Sequence, residues 1–209
     1  HRATPRAPNR RDTGERHTGR VELREAVRRR RMARRFDPDV PVSRDVVRDL
    51  VSLAVRAPSA GFSQGWDFVA LLDDGDRAAF WAATDQGRPA DAWLRGVSAA
   101  PALVLCLSDA DAYLDRYAEA DKGWTDRSPD RWPIPYWDTD TAMAGDRHDA
   151  VREAHGIPDG RRIVGVVALG APARRASRAG GSPRTRSRRP LDELLHEGRF
   201  GGGWSGASV

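Results

Sequence analysis

The sequence predicts an α+β domain, a sheet flanked by helices, on three observations. Apolar runs at 66–72, 102–108 and 162–169 have strand length and are bounded by Pro, Asp or Gly. Segments with apolar residues at helical spacing alternate with these runs, which is the pattern of a sheet covered by helices. The runs are continuously apolar rather than alternating, which implies burial on both faces. At 209 residues and 39% hydrophobic, the chain can bury one real core.

The elements follow in order. Residues 1–20 hold Arg, Pro, Thr and Gly with almost no large apolar side chain, and are expected to be a disordered basic tail. Over 21–32, Val21, Leu23, Ala26 and Val27 fall near one helical face. Asp37-Pro38 breaks the chain. A stronger helix is expected over 43–56: Ser43 is a plausible N-cap, and Val46, Val47, Leu50, Val51, Ala54 and Val55 recur at helical spacing. It stops before Pro58, because the residue ahead of a proline disfavours helix. The strand 66–72 ends at Asp73-Asp74-Gly75, and short helices are expected at 76–84 and 90–97. After the strand 102–108, a long loop rich in Trp, Pro and Asp covers 121–137. A short helix is expected at 146–155, then the strand 162–169, closed by Gly170. From 171 onward Ala, Arg, Ser, Pro and Gly dominate, except for Pro190–Leu195, and 201–209 is a Gly-rich tail. One domain over 21–200 is expected, without internal repeats.

The net charge is +5, carried almost wholly by Arg, with Lys122 the only lysine. Such an excess attracts nucleic acid, anionic lipid or phosphate-bearing ligands. Here 30 acidic residues are interspersed among the Arg, which disfavours nucleic acid as the partner. Cys106 is the single cysteine, so no disulfide forms within the chain and no cysteine-based zinc site is available. Its apolar run places it in the core. No stretch approaches the ~20 apolar residues of a membrane span, and the first twenty residues lack the apolar stretch of a signal peptide. A soluble, cytoplasmic protein is expected, with no membrane partner.

Two segments carry chemistry. Ala57-Pro58-Ser59-Ala60-Gly61-Phe62-Ser63-Gln64-Gly65-Trp66 links a helix to a strand, where a loop can turn small and polar groups toward a ligand while rigid elements hold it. Upstream lies a dense cationic run, Arg29-Arg30-Arg31-Met32-Ala33-Arg34-Arg35-Phe36. Cations beside a small-residue loop are what a phosphorylated cofactor requires.

These segments resemble those of a known family. Arg-Arg-Met-Ala-Arg-Arg-Phe at 30–36 resembles the Arg-Arg-Ser-x-Arg-x-Phe motif of FMN-dependent nitroreductases, and 57–66 resembles their Ala-Pro-Ser-x-x-Asn-x-Gln-Pro-Trp loop. The third strand followed by Arg186-Ser187-Arg188-Arg189-Pro190-Leu191 resembles their C-terminal end. The resemblance implies a mixed, mostly antiparallel sheet flanked by helices, in a homodimer with flavin at the interface. It implies phosphate and ribityl contacts for Arg30, Arg31 and Met32 and a flavin-ring contact for Arg34. It lays Pro58, Ser59 and Ala60 against the ring, has Gln64 and Trp66 fix the loop, and returns Arg186 and Arg188 to the phosphate. Charge-assisted hydrogen bonds to a phosphate contribute ~1.5–3 kcal/mol each. Met32 departs from the family's Ser, Phe62 from its Asn and Gly65 from its Pro. The Gly-Phe pair also resembles the dimethylbenzimidazole synthase branch, although 100–137 does not.

Two other groups admit two readings. Trp132-Pro133-Ile134-Pro135-Tyr136-Trp137 suits either a substrate lid, since aromatic rings stack on flat substrates, or surface packing. Asp138, Asp140, Asp146, His148 and Asp149 raise a metal site, but their spacing matches no known metal loop and solvated acids at a helix start explain them better. Glycine-rich phosphate loops and the Gly-x-Ser-x-Gly elbow are absent. After Ala144, about twenty residues of the family's pattern are missing, about 30 Å if helical. The family builds its dimer core from that helix; either the gene product lacks it or those residues are missing from this sequence.

The implied function is FMN-dependent oxidoreduction, with NAD(P)H as reductant and nitroaromatics, quinones or similar small molecules as acceptors. No dedicated acid or base is required, because the flavin carries the redox chemistry. Two rivals stand beside it: a non-enzymatic basic module that binds nucleic acid or another anionic partner, and a family relative that has lost flavin.

Overall fold

A computed structural model describes residues 22–29, 32–85, 87, 89–124, 126–141, 149–173, 189–196 and 199–200. The expected tails at 1–20 and 201–209 lie outside the described residues. So do Arg30, Arg31, Arg186 and Arg188, and the segment 142–148 where the family's helix was expected. Two compact units divide the chain, His1–Ala33 and Arg34–Val209. In the first, α1 (Leu23–Arg29) forms within the expected 21–32, with an i,i+4 ion pair between Glu25 and Arg29 at 3.5 Å and no buried residue.

The second unit is built on a three-stranded sheet in the order β1-β2-β3. β1 (Trp66–Leu71) runs antiparallel to β2 (Ala102–Asp109), with Trp66 opposite Ser108 and Leu71 opposite Leu103. β3 (Arg161–Leu169) runs antiparallel along the other edge of β2, with Arg161 opposite Asp109 and Leu169 opposite Ala102. Its register slips between Cys106 and Leu107, a bulge that leaves Val164 unmatched. The described sheet is thus antiparallel throughout, where the resemblance implied a mixed one.

Burial on both faces holds for the central strand only. β2 is buried along nearly its whole length, whereas Val166 and Val167 of β3 are exposed. An edge strand has a neighbour on one side only, so its side chains are covered from fewer directions. Cys106, expected in the core, is half-buried, and that burial pushes its thiol pKa up. Leu103, Leu105 and Leu107 of β2 form the core with Leu71, Ile163, Phe36, Phe80 and Val151. Phe80 comes from α3 (Asp74–Thr84) and Val151 from α7 (Asp149–Ala154).

The strongest expected helix forms as α2 (Arg44–Ala54), and the Ser43 side chain accepts from the Val46 N–H, as an N-cap should. Its apolar face is not buried. Val47 is covered, but Val46, Leu50 and Leu53 are exposed. α4 (Ala92–Val97) is capped by Asp91.

Two helices were not expected. α5 (Ala110–Tyr117) follows β2 directly, and Asp109 both ends the strand and caps the helix by accepting from the Asp111 N–H at 3.0 Å. α6 (Tyr136–Thr141) forms at the end of the expected loop. Among the described residues no helix is long and apolar enough to cross a membrane.

Candidate functional site

The loop after α2 is a tightly built turn. Pro58 ends the helical path, Ser59 is extended, and Ala60–Phe62 makes one 3₁₀ turn. Inside it, the Phe62 N–H donates to the Ser59 carbonyl at 2.9 Å and the Ser63 N–H to the Ala60 carbonyl at 3.1 Å. The Gln64 N–H donates to Ser59 Oγ at 3.0 Å, and Ser63 Oγ donates to the Ala60 carbonyl at 2.7 Å. The backbone carries strain: φ is +59° at Phe62 and +51° at Gln64, the two non-glycine residues with positive φ among those described. Left-handed backbone costs an L-residue about 1–2 kcal/mol, so something outside the turn must hold it.

α5 and α6 supply the hold. The Ala60 N–H donates to Asp140 Oδ2 at 2.9 Å, and the same oxygen accepts from the Tyr113 hydroxyl at 2.8 Å. Arg116 Nε donates to the Gly61 carbonyl at 2.9 Å. The guanidinium is aimed by Asp121, at 2.7 and 2.8 Å, and by Glu119 at 2.9 Å. At the far end, the Gly65 carbonyl accepts from the Asp109 N–H at 3.0 Å and from Thr141 Oγ1 at 3.3 Å.

Two glycines allow these approaches. A Cβ on Gly61, whose φ is +61°, would lie 2.7 Å from the Tyr117 ring. A Cβ on Gly65 would lie 2.6 Å from the Asp109 carbonyl and from the Tyr113 ring. Gly65, which replaces the family's Pro, therefore has a packing reason of its own.

α6 is itself braced against the sheet. Asp138 accepts from Ser108 Oγ at 2.7 Å and pairs with Arg162. Beside it, Arg161 bridges Asp67 at 2.6 Å and Asp109 at 2.8 Å, and the hydrogen bond to Asp67 raises its guanidinium pKa. The aromatic segment packs against the same helices. Trp132 stands at the centre of a cluster, with ring centroids 4.6 Å from Tyr117, 5.3 Å from Tyr136 and 5.4 Å from Trp124. Trp132 and Trp137 both meet Tyr113 edge-on. These ring contacts give Trp132, Tyr136 and Trp137 packing partners. Burial first, then the hydrogen bond to Asp140, drives the Tyr113 phenol well above its ordinary pKa. The hydrogen bond from Arg116 holds the Asp121 carboxyl below the usual carboxylate range.

Of the expected site residues, the structure brings Pro58, Ser59, Ala60 and Gln64 together in this loop. Pro58 and Gln64 are exposed and Ser59 and Ala60 half-buried. Arg34 is exposed in a segment strung between α4 and the chain beyond β3. The Phe36 N–H donates to the Gly96 carbonyl at 3.3 Å, and the Ala173 N–H to the Arg35 carbonyl at 3.1 Å. Gly96 lets the Arg34 carbonyl lie against it, since a Cβ there would come within 2.3 Å. Among the described residues no hydrogen bond or ion pair joins Arg34 to the loop. Met32 is exposed in the first unit. Arg30, Arg31, Arg186 and Arg188 lie outside the described residues, as do Asp146 and His148. Asp138 and Asp140 serve the hydrogen bonds just given, and no metal-holding group of three His, Cys, Asp or Glu gathers among the described residues.

The residues that hold the loop, Tyr113, Arg116 and Asp140, were missed by sequence reasoning. One signal was present: Ala110, Tyr113, Leu114 and Tyr117 recur at helical spacing behind a capping Asp109.

Several solved structures share this fold at low sequence identity. A nitroreductase family protein from Streptococcus pneumoniae TIGR4 is 17% identical with a TM-score of 0.60, over 84% of this chain and 100% of that one. A structure from Exiguobacterium sibiricum 255-15, solved in complex with FMN, is 18% identical with a TM-score of 0.59, over 84% of this chain and 97% of that one. A candidate NAD(P)H:FMN oxidoreductase from Staphylococcus epidermidis ATCC 12228 is 15% identical with a TM-score of 0.59, over 84% and 95%. No curated protein matches the sequence. The model of the Nitroreductase family matches residues 27–145, more than half of the 209-residue chain and the whole of the clamped loop with the helices that hold it. This chain belongs to the nitroreductase family.

Proposed function

We propose that this protein is an FMN-dependent oxidoreductase that passes hydride from NAD(P)H to nitroaromatic, quinone or similar small-molecule acceptors, as a cytoplasmic homodimer. The observation that carries the reading is the state of the loop. The backbone N–H groups of Ala60, Phe62, Ser63, Gln64 and Trp66 are all spent on partners within the protein. What remains at Pro58 and Ala60 is a small, apolar, preformed surface. Such a surface suits the face of a flat ring, and a phosphate is met best by cations. The residues present therefore fit the ring of FMN at the loop, and the phosphate falls to arginines.

Arg34 is the described cation in this reading: exposed, with no ion pair among the described residues, and free to meet an electron-rich edge of the ring. Arg30, Arg31, Arg186 and Arg188 are the proposed phosphate ligands, with Met32 contributing its backbone. Bound FMN supplies the two-electron chemistry; the chain binds, orients and excludes water. A relative of the same fold solved with FMN supports the assignment.

The homodimer is proposed from exposed apolar surface. Val46, Leu50 and Leu53 stand four and three residues apart, so they share one face of α2, and all three are exposed. An uncovered apolar face of this kind marks an interaction surface, and a second copy is the commonest partner. Light scattering that finds a monomer at micromolar concentration refutes the dimer.

The flavin reading is tested by purification and titration. A yellow protein whose flavin band bleaches with NADH or NADPH and recovers with a quinone or nitroaromatic is expected. A colourless protein that takes up no FMN would sink the proposal, and salt-sensitive DNA binding in its place would favour the basic-module rival.

A further inference from the structure

We propose that Asp140 and Arg116 are positioning residues for the Pro58–Gln64 loop, holding it in the form that receives the ring; this rests on the flavin reading of that loop. The two side chains bind adjacent residues of the loop. Asp140 takes the N–H of Ala60, and Arg116 gives its Nε–H to the carbonyl of Gly61. Neither belongs to the loop: Asp140 is 80 residues and Arg116 55 residues further along the chain.

Both are themselves fixed. The Asp140 oxygen that receives Ala60 also receives the hydroxyl of Tyr113, which is fully buried. The Arg116 guanidinium is locked by a bidentate pair with Asp121. The turn's own hydrogen bonds are all short-range, and it carries left-handed backbone at Phe62 and Gln64. A short turn under such strain relaxes unless its surroundings over-determine it. The grip from α5 and α6 does so, and a ligand that packs on the loop then meets a surface ordered in advance instead of ordering it on binding.

The test uses the full chain, freed of flavin and retitrated with FMN. Two readouts are followed: the FMN dissociation constant from flavin fluorescence, and hydrogen exchange at the Ala60 amide without ligand. Asp140→Leu removes the oxygen that accepts both hydrogen bonds and keeps the branched shape, whereas Asp140→Asn keeps an oxygen that can accept from Ala60 and Tyr113. The expected result is FMN binding weakened about tenfold or more by Asp140→Leu, with faster exchange at Ala60. Asp140→Asn restores both, because the role is hydrogen bonding and not charge. Faster exchange with unchanged FMN affinity overturns the inference and leaves the flavin reading standing. Wild-type protein that binds no FMN overturns the flavin reading and this inference with it. If Asp140→Leu does not fold, Arg116→Met decides: unchanged FMN affinity and unchanged exchange across Ala60–Gly61 in the folded variant overturn the proposal.

Discussion

Gly65→Ala separates a packing account of the loop from a merely conformational one. Gly65 does not lie in left-handed backbone, so alanine meets no torsional penalty there. The cost is steric. The new Cβ would stand 2.6 Å from the Asp109 carbonyl oxygen, where ordinary contact begins at 3.4 Å, a shortfall of about 0.8 Å (3.4 less 2.6). It would also stand 2.6 Å from Tyr113 Cε2. Neither neighbour yields easily. The Asp109 carbonyl belongs to the end of β2, and the Tyr113 ring is buried with its hydroxyl held by Asp140. Overpacking of this kind costs about 2–3 kcal/mol, which for a chain of this size lowers Tm by about 4–12 °C. The control is Gly75→Ala, at the start of α3, where a Cβ meets nothing within 4 Å. That change removes unfolded-state entropy and is expected to stabilise by about 0.5–1 kcal/mol. Denaturant unfolding of both variants, with slopes compared, gives the two free energies. Equal stabilities within about 0.5 kcal/mol, the scatter of ordinary surface changes, would refute the packing account.

The other predictions concern caps and titrations. Ser43→Ala removes the N-cap of α2 and is expected to destabilise by about 1 kcal/mol, read by urea unfolding, with Ser43→Asp restoring it. The Asp121 carboxyl is depressed in the folded state by the Arg116 hydrogen bond. Its contribution is therefore complete above the ordinary carboxylate range and is lost as pH falls from about 4 toward the depressed value. Asp121→Asn should flatten stability against pH in that acid window and leave its shape near neutrality unchanged. Tyr113 has the opposite sense: its folded pKa is raised, so its contribution is intact below about pH 10 and lost as pH rises beyond. Difference absorbance should show one of the three tyrosines resisting ionisation until alkaline unfolding, and Tyr113→Phe should abolish that delayed step. Delayed ionisation that persists in Tyr113→Phe would contradict the assignment.

Much of the fold was legible because it rests on short-range patterns. Ser43, the helical spacing of Val47 and Val51, and Pro58 delimit α2 and place a turn after it. The apolar runs mark β1, β2 and β3 by their length and their Pro, Asp and Gly boundaries, although only β2 is buried along nearly its whole length. The Arg-rich segment and the Pro-Ser-Ala loop could be paired by resemblance, and the family match includes both. α5 was overlooked, because its apolar spacing is carried by Ala and Tyr amid acids and reads as a solvated loop.

Local sequence could not say what covers the apolar face of α2, which the fold leaves exposed, nor which strand of the sheet would be central. Nor could it show that Asp140 and Arg116 close on the loop. A hydrogen bond spanning 80 residues leaves no periodicity in the chain, and an acid that receives a buried tyrosine and a backbone N–H looks in sequence like any solvated acid. The sequence by itself determined the three strands, most of the helices and the composition of the loop. The tertiary structure decided which distant side chains hold that loop in its strained form, because only packing brings α5, α6 and the 3₁₀ turn within hydrogen-bond reach.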